Sequence, residues 1–225
     1  MMTPIATFHS PLTSKFGIPR QSGLVEGLVG EIVFEPEYRN PDYLRGLEGF
    51  DYIWLLWDFS ANKKEVRSAT VRPPLLGGNQ TMGVFATRSP YRPNPIGLSS
   101  VRVLRIDLDD SRGPVIQVLG ADLMDGTPVF DIKPYVEYAD SHVGVRSGFV
   151  DEREWKYLDV VFAEGVGECL TDNDREVVTR LLSLDPRPRF HDDPERIYGM
   201  PFRNVDVRFR VDGEKLFVQE IAPLP

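Results

Sequence analysis

Apolar residues fall in short runs along the first two thirds of the chain. They are rich in β-branched and aromatic side chains, the pattern of buried or half-buried strands. Residues 24–34, 52–59, 82–87, 96–108 and 115–121 read as strands. The second run contains Ile53, Trp54, Leu55, Leu56 and Trp57. In the fourth, Arg102 and Arg105 interrupt Val101, Val103 and Ile106, so one face is expected to meet solvent. Pro and Gly clusters separate the runs, and residues 41–50 read as a short helix leading into a strand. Many short strands joined by Pro/Gly turns predict a closed or nearly closed β-barrel, or else a sandwich.

The pattern changes near residue 148. Residues 158–162 read as a strand. Thr171 can cap a helix running to about Leu184, with Asp172 and Asp174 near its positive end and Val177, Val178, Leu181 and Leu182 as its apolar stripe. Residues 204–211 alternate cleanly, Asp212-Gly213 marks a hairpin turn, and residues 215–221 form the returning strand. The expected architecture is mainly β: a barrel domain over residues 1–148 and a small α+β domain over 149–225.

Composition narrows the functional classes. Cys169 is the one cysteine, which excludes an intrachain disulfide and a Cys-rich zinc site and points to the reducing cytoplasm. His9, His142 and His191 lie far apart without metal-ligand spacing, so no metal is expected. No apolar run approaches the roughly 18 residues of a membrane span, and the N-terminus lacks the pattern of a secretory signal. The net charge of −8 argues against a polyanion partner until its distribution is considered. Residues 61–106 carry eight basic residues and one acid, Glu65; residues 185–210 carry six arginines against five acids. A basic face on an acidic body can hold a phosphate backbone, although a solvated charged surface has the same composition.

Four segments can carry chemistry. Residues 14–23, S-K-F-G-I-P-R-Q-S-G, combine Gly and Pro with cationic and amide donors and read as a ligand loop or a polar connector. Residues 83–99 hold three prolines within six positions together with Arg88 and Arg92. Such a loop is stiff, and stiffness lowers the ordering cost of binding. Asp125-Gly126-Thr127-Pro128 is a tight turn whose carboxylate can meet a hydroxyl or a cation, or is a turn and no more. On an extended segment Asp131, Lys133 and Tyr135 share one side and offer proton transfer and charge stabilisation, or else an ion pair beside a packed tyrosine; Pro134 marks an edge or a bulge. P-loop, H-E-x-x-H and G-x-S-x-G signatures are absent from the sequence.

With L-E-G-F-D-Y-I-W-L-L, V-R-P-P-L-L-G-G-N, M-G-V-F-A-T-R-S-P-Y-R-P-N-P-I-G-L-S and D-G-T-P-V-F-D-I-K-P-Y, these segments make the chain resemble the TsaA-like (YaeB-like) β-barrel family, S-adenosylmethionine-dependent tRNA methyltransferases. The tail D-P-R-P-R-F, R-I-Y-G-M-P-F and V-D-V-R-F extends the resemblance to bacterial members with a C-terminal extension. The resemblance implies a homodimer that methylates N6 of threonylcarbamoyladenosine, 3′ of the anticodon in threonine tRNA. It implies donor contacts at Pro19, Arg20, Gln21, Ser60, Ala61, Arg88, Leu98, Asp125, Gly126, Thr127 and Pro128. Many relatives have Phe-His where this chain has Phe59-Ser60. Within that expectation Asp131 and Tyr135 are candidates to take the proton from the acceptor nitrogen, and Lys133 to stabilise charge on the carbamoyl oxygen. Lys63, Lys64, Arg67, Arg92, Arg187, Arg189 and Arg203 are candidate phosphate contacts for the anticodon arm. A tRNA-binding module without catalysis, and a donor-dependent enzyme acting on a small molecule, remain as alternatives.

Overall fold

The computed structural model describes residues 2–62, 68–77, 80–152, 156–188 and 193–224. In chain order its strands are β1 (Ala6–His9), β2 (Val29–Phe34), β3 (Tyr52–Asp58), β4 (Thr70–Val71), β5 (Met82–Gly83), β6 (Ile96–Asp107), β7 (Val115–Leu119), β8 (Thr127–Pro134), β9 (Asp159–Phe162), β10 (Tyr198–Phe202), β11 (Val205–Asp212) and β12 (Lys215–Pro223). Two α-helices join them, α1 (Glu137–Asp140) and α2 (Asp172–Ser183).

Six strands close a barrel in the order β1-β2-β7-β6-β3-β8, every neighbouring pair antiparallel. Closure removes the exposed edges that an open sheet would offer to other chains. The interior is filled by Phe8, Ile32, Ile53, Leu55, Ile116 and Val129, which alternate with outward residues along their strands. Gly30 lets the Phe8 ring lie against the β2 backbone, where a Cβ would stand 2.2 Å from the ring edge. Register shifts leave an extra residue at Phe130 on β8, opposite Leu56 and Trp57, and at Leu104 on β6, marking bulges that increase local bending.

The second layer is a four-stranded sheet, β10-β11-β12-β9, with β9 parallel to β12 and α2 packed on one face. Thr171 caps α2 by accepting from the Asp174 N–H, and Val177, Val178, Leu181 and Leu182 are buried against Met200, Phe209 and Val218. Leu12, Val25 and Leu28, from the connection between β1 and β2, complete this core. The sequence division at residue 148 is therefore crossed in space by residues 12–28.

Several expectations need adjusting. Residues 24–28, read as the start of a strand, form a loop committed to the second core, and the strand begins at Val29. Residues 84–86, read as strand, form a single 3-10 turn after the two-residue β5. The short helix expected over residues 41–50 is two 3-10 turns. Pro134 ends β8, which is no edge strand but lies between β1 and β3 in the closed barrel, with its bulge at Phe130. β1, β4, β10 and the short α1 were not foreseen.

Candidate functional site: the cavity at one barrel rim

The connections β1–β2, β3–β6 and β7–β8 all emerge at the same end of the barrel, and a cavity of about 730 Å³ lies among them. Pockets of roughly 300–1,000 Å³ hold small organic ligands and cofactors. The first wall is the loop carrying Lys15, Pro19, Arg20 and Gln21. The second is the proline-rich loop with Arg88, Arg92 and Pro93, and the floor includes Trp57, Gly97 and Asp122. Gln21 ties the first two walls together: its Nε2 donates to the Arg20 carbonyl at 2.5 Å, and its Oε1 accepts from Arg88 Nη1. Arg92 braces the second wall by donating to the Thr87 carbonyl at 3.0 Å.

The floor holds a polar relay in an apolar setting. Buried Trp57 donates from Nε1 to Ser99 Oγ at 2.9 Å, and Ser99 donates to Asp122 Oδ1 at 2.5 Å. Gly97 is required beneath this indole, because a Cβ there would stand 2.2 Å from the ring. Burial is the main influence on Asp122 and raises its pKa above the usual carboxylate value; the bonds from Ser99 and the Ser22 backbone, and the field of Arg88, pull the other way. Four cations, Lys15, Arg20, Arg88 and Arg92, face two carboxylates, Asp58 and Asp122. Phe85 stands 79% exposed at the cavity, an apolar plate suited to a purine ring.

The structure brings together Pro19, Arg20, Gln21, Ser60, Ala61, Arg88, Leu98 and Thr127 around this cavity, with Arg92 beside them. Asp125, Gly126 and Pro128 are next to it in sequence but do not line it. Asp125 Oδ1 accepts from the Ser10 N–H and lies 3.1 Å from His9 Nδ1, while Gly126 takes a φ of 75° to make the turn. Asp131, Lys133 and Tyr135 share a face as expected, but it is the outer wall of the barrel. Asp131 and Lys133 form an ion pair at 2.9 Å, and Tyr135 packs on Trp54 and Tyr52. Asp131 also borders a second cavity, reached from the opposite rim. Arg203 pairs with Asp174 at 3.1 Å, away from the cavity lining, and Arg187 lies beside the end of α2. Lys63, Lys64, Arg67 and Arg189 lie outside the described residues.

Asp122 is one of the functional candidates that sequence reading missed, with Asp58 and Phe85. A single acid within Ala121-Asp122-Leu123-Met124 carries no motif; the signal was a charge placed among residues that are otherwise apolar. Among the described residues no group of three His, Cys, Asp or Glu side chains could hold a metal ion, and no helix is long and apolar enough to cross a membrane.

A barrel with a cationic, aromatic-edged cavity among its rim loops is a class with known members. Residues 7–141 match the tRNA-methyltransferase O N-terminal domain, and residues 156–224 match the TrmO C-terminal domain. The tRNA (adenine(37)-N6)-methyltransferase of Escherichia coli K12 is 38% identical over 97% of this chain and 96% of its own. A human protein of the same description is 37% identical over 66% of this chain and 33% of its own. The crystal structure of TrmO from Pseudomonas aeruginosa superposes with a TM-score of 0.80 at 30% identity, covering 99% of this chain and 97% of that one. The chain belongs to the tRNA-methyltransferase O family.

Proposed function

We infer that this protein is an S-adenosylmethionine-dependent tRNA methyltransferase acting on N6 of the modified adenosine at position 37, threonylcarbamoyladenosine in threonine tRNA. The observation that carries the reading is the rim cavity, whose lining suits each part of the donor. Phe85 and the prolines offer apolar surface to the purine. Asp58 and Asp122 offer acceptors to ribose hydroxyls or to the ammonium and sulfonium cations. Arg20 and Arg88 offer donors to the methionyl carboxylate. The bound donor supplies an electrophilic methyl group. The chain's part is to hold donor and acceptor nitrogen in line, which depends on rigid walls. The Gln21 tie and the prolines of the second loop supply that rigidity.

The outer wall supports a homodimer. Leu98 is 52% exposed, and it lies across the β3–β6 pair from Leu56; Trp54 and Tyr52 continue the same face. A contiguous apolar strip of this kind marks an interaction surface. Leu98 also lines the cavity, so the donor would sit at the edge of the subunit contact. Asp131, Lys133 and Tyr135 share that wall, and from there they serve the reaction only across the contact. The anticodon arm is the part of tRNA presented to the cavity, with Arg92 and Arg187 as phosphate contacts.

Nucleoside mass spectrometry of tRNA from cells with and without the gene tests the activity. Loss of the N6-methyl form without the gene, and its return with the gene, are expected. Unchanged nucleosides together with donor binding by calorimetry would point to a different acceptor. Sedimentation of the purified protein tests the dimer.

A further inference from the structure

The loop at residues 14–21 has two faces. Lys15, Ile18, Pro19 and Arg20 line the rim cavity on one side and a second cleft, of about 650 Å³, on the other. The loop is a partition one chain thick. It is mounted on the C-terminal sheet, while Lys15 and Gln21 tie it to Asn62 and Arg88 on the barrel rim. Phe16 stacks on Tyr198 and Phe209, each at 6.3 Å between ring centroids. Gly17, at φ 94°, passes so close to Met200 that a Cβ would meet its sulfur at 2.5 Å. Arg20 Nη2 donates to the Asp185 carbonyl just past α2.

The cleft beyond the partition is cationic. Its described lining holds Lys15, Arg20, Arg72 and Arg187 against one carboxylate, Asp185. Both Asp185 oxygens are engaged by Arg187, at 2.8 and 3.0 Å, so that acid does not offset the others. Arg72 and Lys15 are exposed. Prolines 19, 74, 186 and 188 fix the walls. A phosphate ester is the chemistry such a cleft takes, and its position one loop away from the donor cavity favours a polymer that continues past the target nucleotide.

We propose that this cleft seats the RNA backbone beside the nucleotide being methylated, and that RNA there tightens donor binding through the shared loop. This rests on the reading given above. The sign follows from charge. The donor carries two cationic groups and one carboxylate, and it enters a cavity walled by Lys15 and Arg20. A phosphate on the far side of the wall lowers the positive potential that opposes it. The demethylated product has lost the sulfonium charge and gains less, which favours its release while RNA is still bound. By linkage, donor tightens RNA by the same factor that RNA tightens donor.

The test uses the full chain, an anticodon stem-loop RNA, S-adenosylmethionine and S-adenosylhomocysteine. Arg72→Glu, with Arg72→Gln as the milder variant, is expected to weaken RNA binding about tenfold and to reduce the slope of affinity against salt by about one. Without RNA, Arg72→Glu is expected to tighten the donor modestly and Arg72→Gln less, because each lowers the positive potential at the partition. Lys215→Glu, at a residue that does not line the cleft, leaves RNA affinity unchanged. Saturating RNA is expected to tighten S-adenosylmethionine by about fivefold or more, and S-adenosylhomocysteine by less. The proposal is overturned if Arg72→Glu weakens RNA no more than Lys215→Glu does, or if RNA leaves donor affinity untouched. Displacement of the RNA by inorganic phosphate or a mononucleotide at low millimolar concentration would also overturn it, making the cleft a small-anion site. A wild-type protein that methylates no tRNA would instead refute the activity itself, whatever the cleft binds.

Discussion

The two hydrophobic cores are built differently, and the difference decides what each can do to the site. The barrel core is filled largely from its own strands: Ile32, Ile53, Ile116 and Val129 meet inside a closed ring of backbone hydrogen bonds. The second core is composite. It joins Met200, Phe209 and Val218 to α2, and then to Leu12, Val25 and Leu28 from a connection between barrel strands. The loop at residues 14–21 hangs from this second core through Phe16 and Gly17. The barrel thus supplies the floor of the cavity, and the C-terminal sheet sets the position of one wall.

Phe209→Ala is the strongest way to break that comparison. Phe209 is fully buried, and its loss is expected to cost about 3–5 kcal/mol in thermal or denaturant unfolding. Because Phe16 then loses one of its two stacking partners, donor affinity of the folded protein should fall about tenfold or more by calorimetry. Ile116→Ala supplies the contrast. Ile116 is equally buried, in the barrel, so stability should fall by about 2–5 kcal/mol while donor affinity of the folded protein holds within about twofold. Equal losses of affinity in the two variants would mean that the cores do not divide the work in this way.

Gly97→Ala sharpens the barrel side. The added Cβ meets the Trp57 ring rather than a flexible chain end, so a cost of about 1–3 kcal/mol is expected. Fluorescence of the displaced indole would report the shift, since Trp57 has to leave Ser99 to make room.

The smallest effect is in the pH dependence. The folded state holds a proton on Asp122 more tightly than the unfolded state does. The stability from this is therefore full below the ordinary value of 3.8 and is lost as pH rises through the raised pKa. Asp122→Asn should remove that loss, its unfolding midpoint gaining on the wild type as pH climbs. Asp110 behaves in the opposite sense. Arg112 lowers its pKa to about 2, so its contribution is present above 3.8 and disappears as pH falls through about 2. Asp110→Asn should flatten only the acid limb of the curve.

Much of the fold was legible because local signals agreed with one another. Thr171, the stripe from Val177 to Leu182, and Asp212-Gly213 each specify their element from neighbouring residues alone. β1 was not legible: its four residues gain their partners only from β2 and β8. Residues 24–28 have a strand-like composition but are claimed by α2, a tertiary override of propensity. In the site, stiff loops were readable because Pro and Gly act locally. Asp122 was not, because its environment is assembled by Trp57 and Ser99 from two other strands. The shared face of Asp131, Lys133 and Tyr135 followed from strand periodicity, but periodicity alone does not say which side of a barrel that face is on.

The loop at residues 14–21 and its mount are made at different times. Phe16 is synthesised well before Tyr198 and Phe209, the rings it rests on. During translation the N-terminal strands emerge first. A nascent chain halted before β10 would carry barrel strands and a rim loop with nowhere to rest. Synthesis would then work as a timer, leaving that wall of the cavity unset until β10 and β11 have emerged.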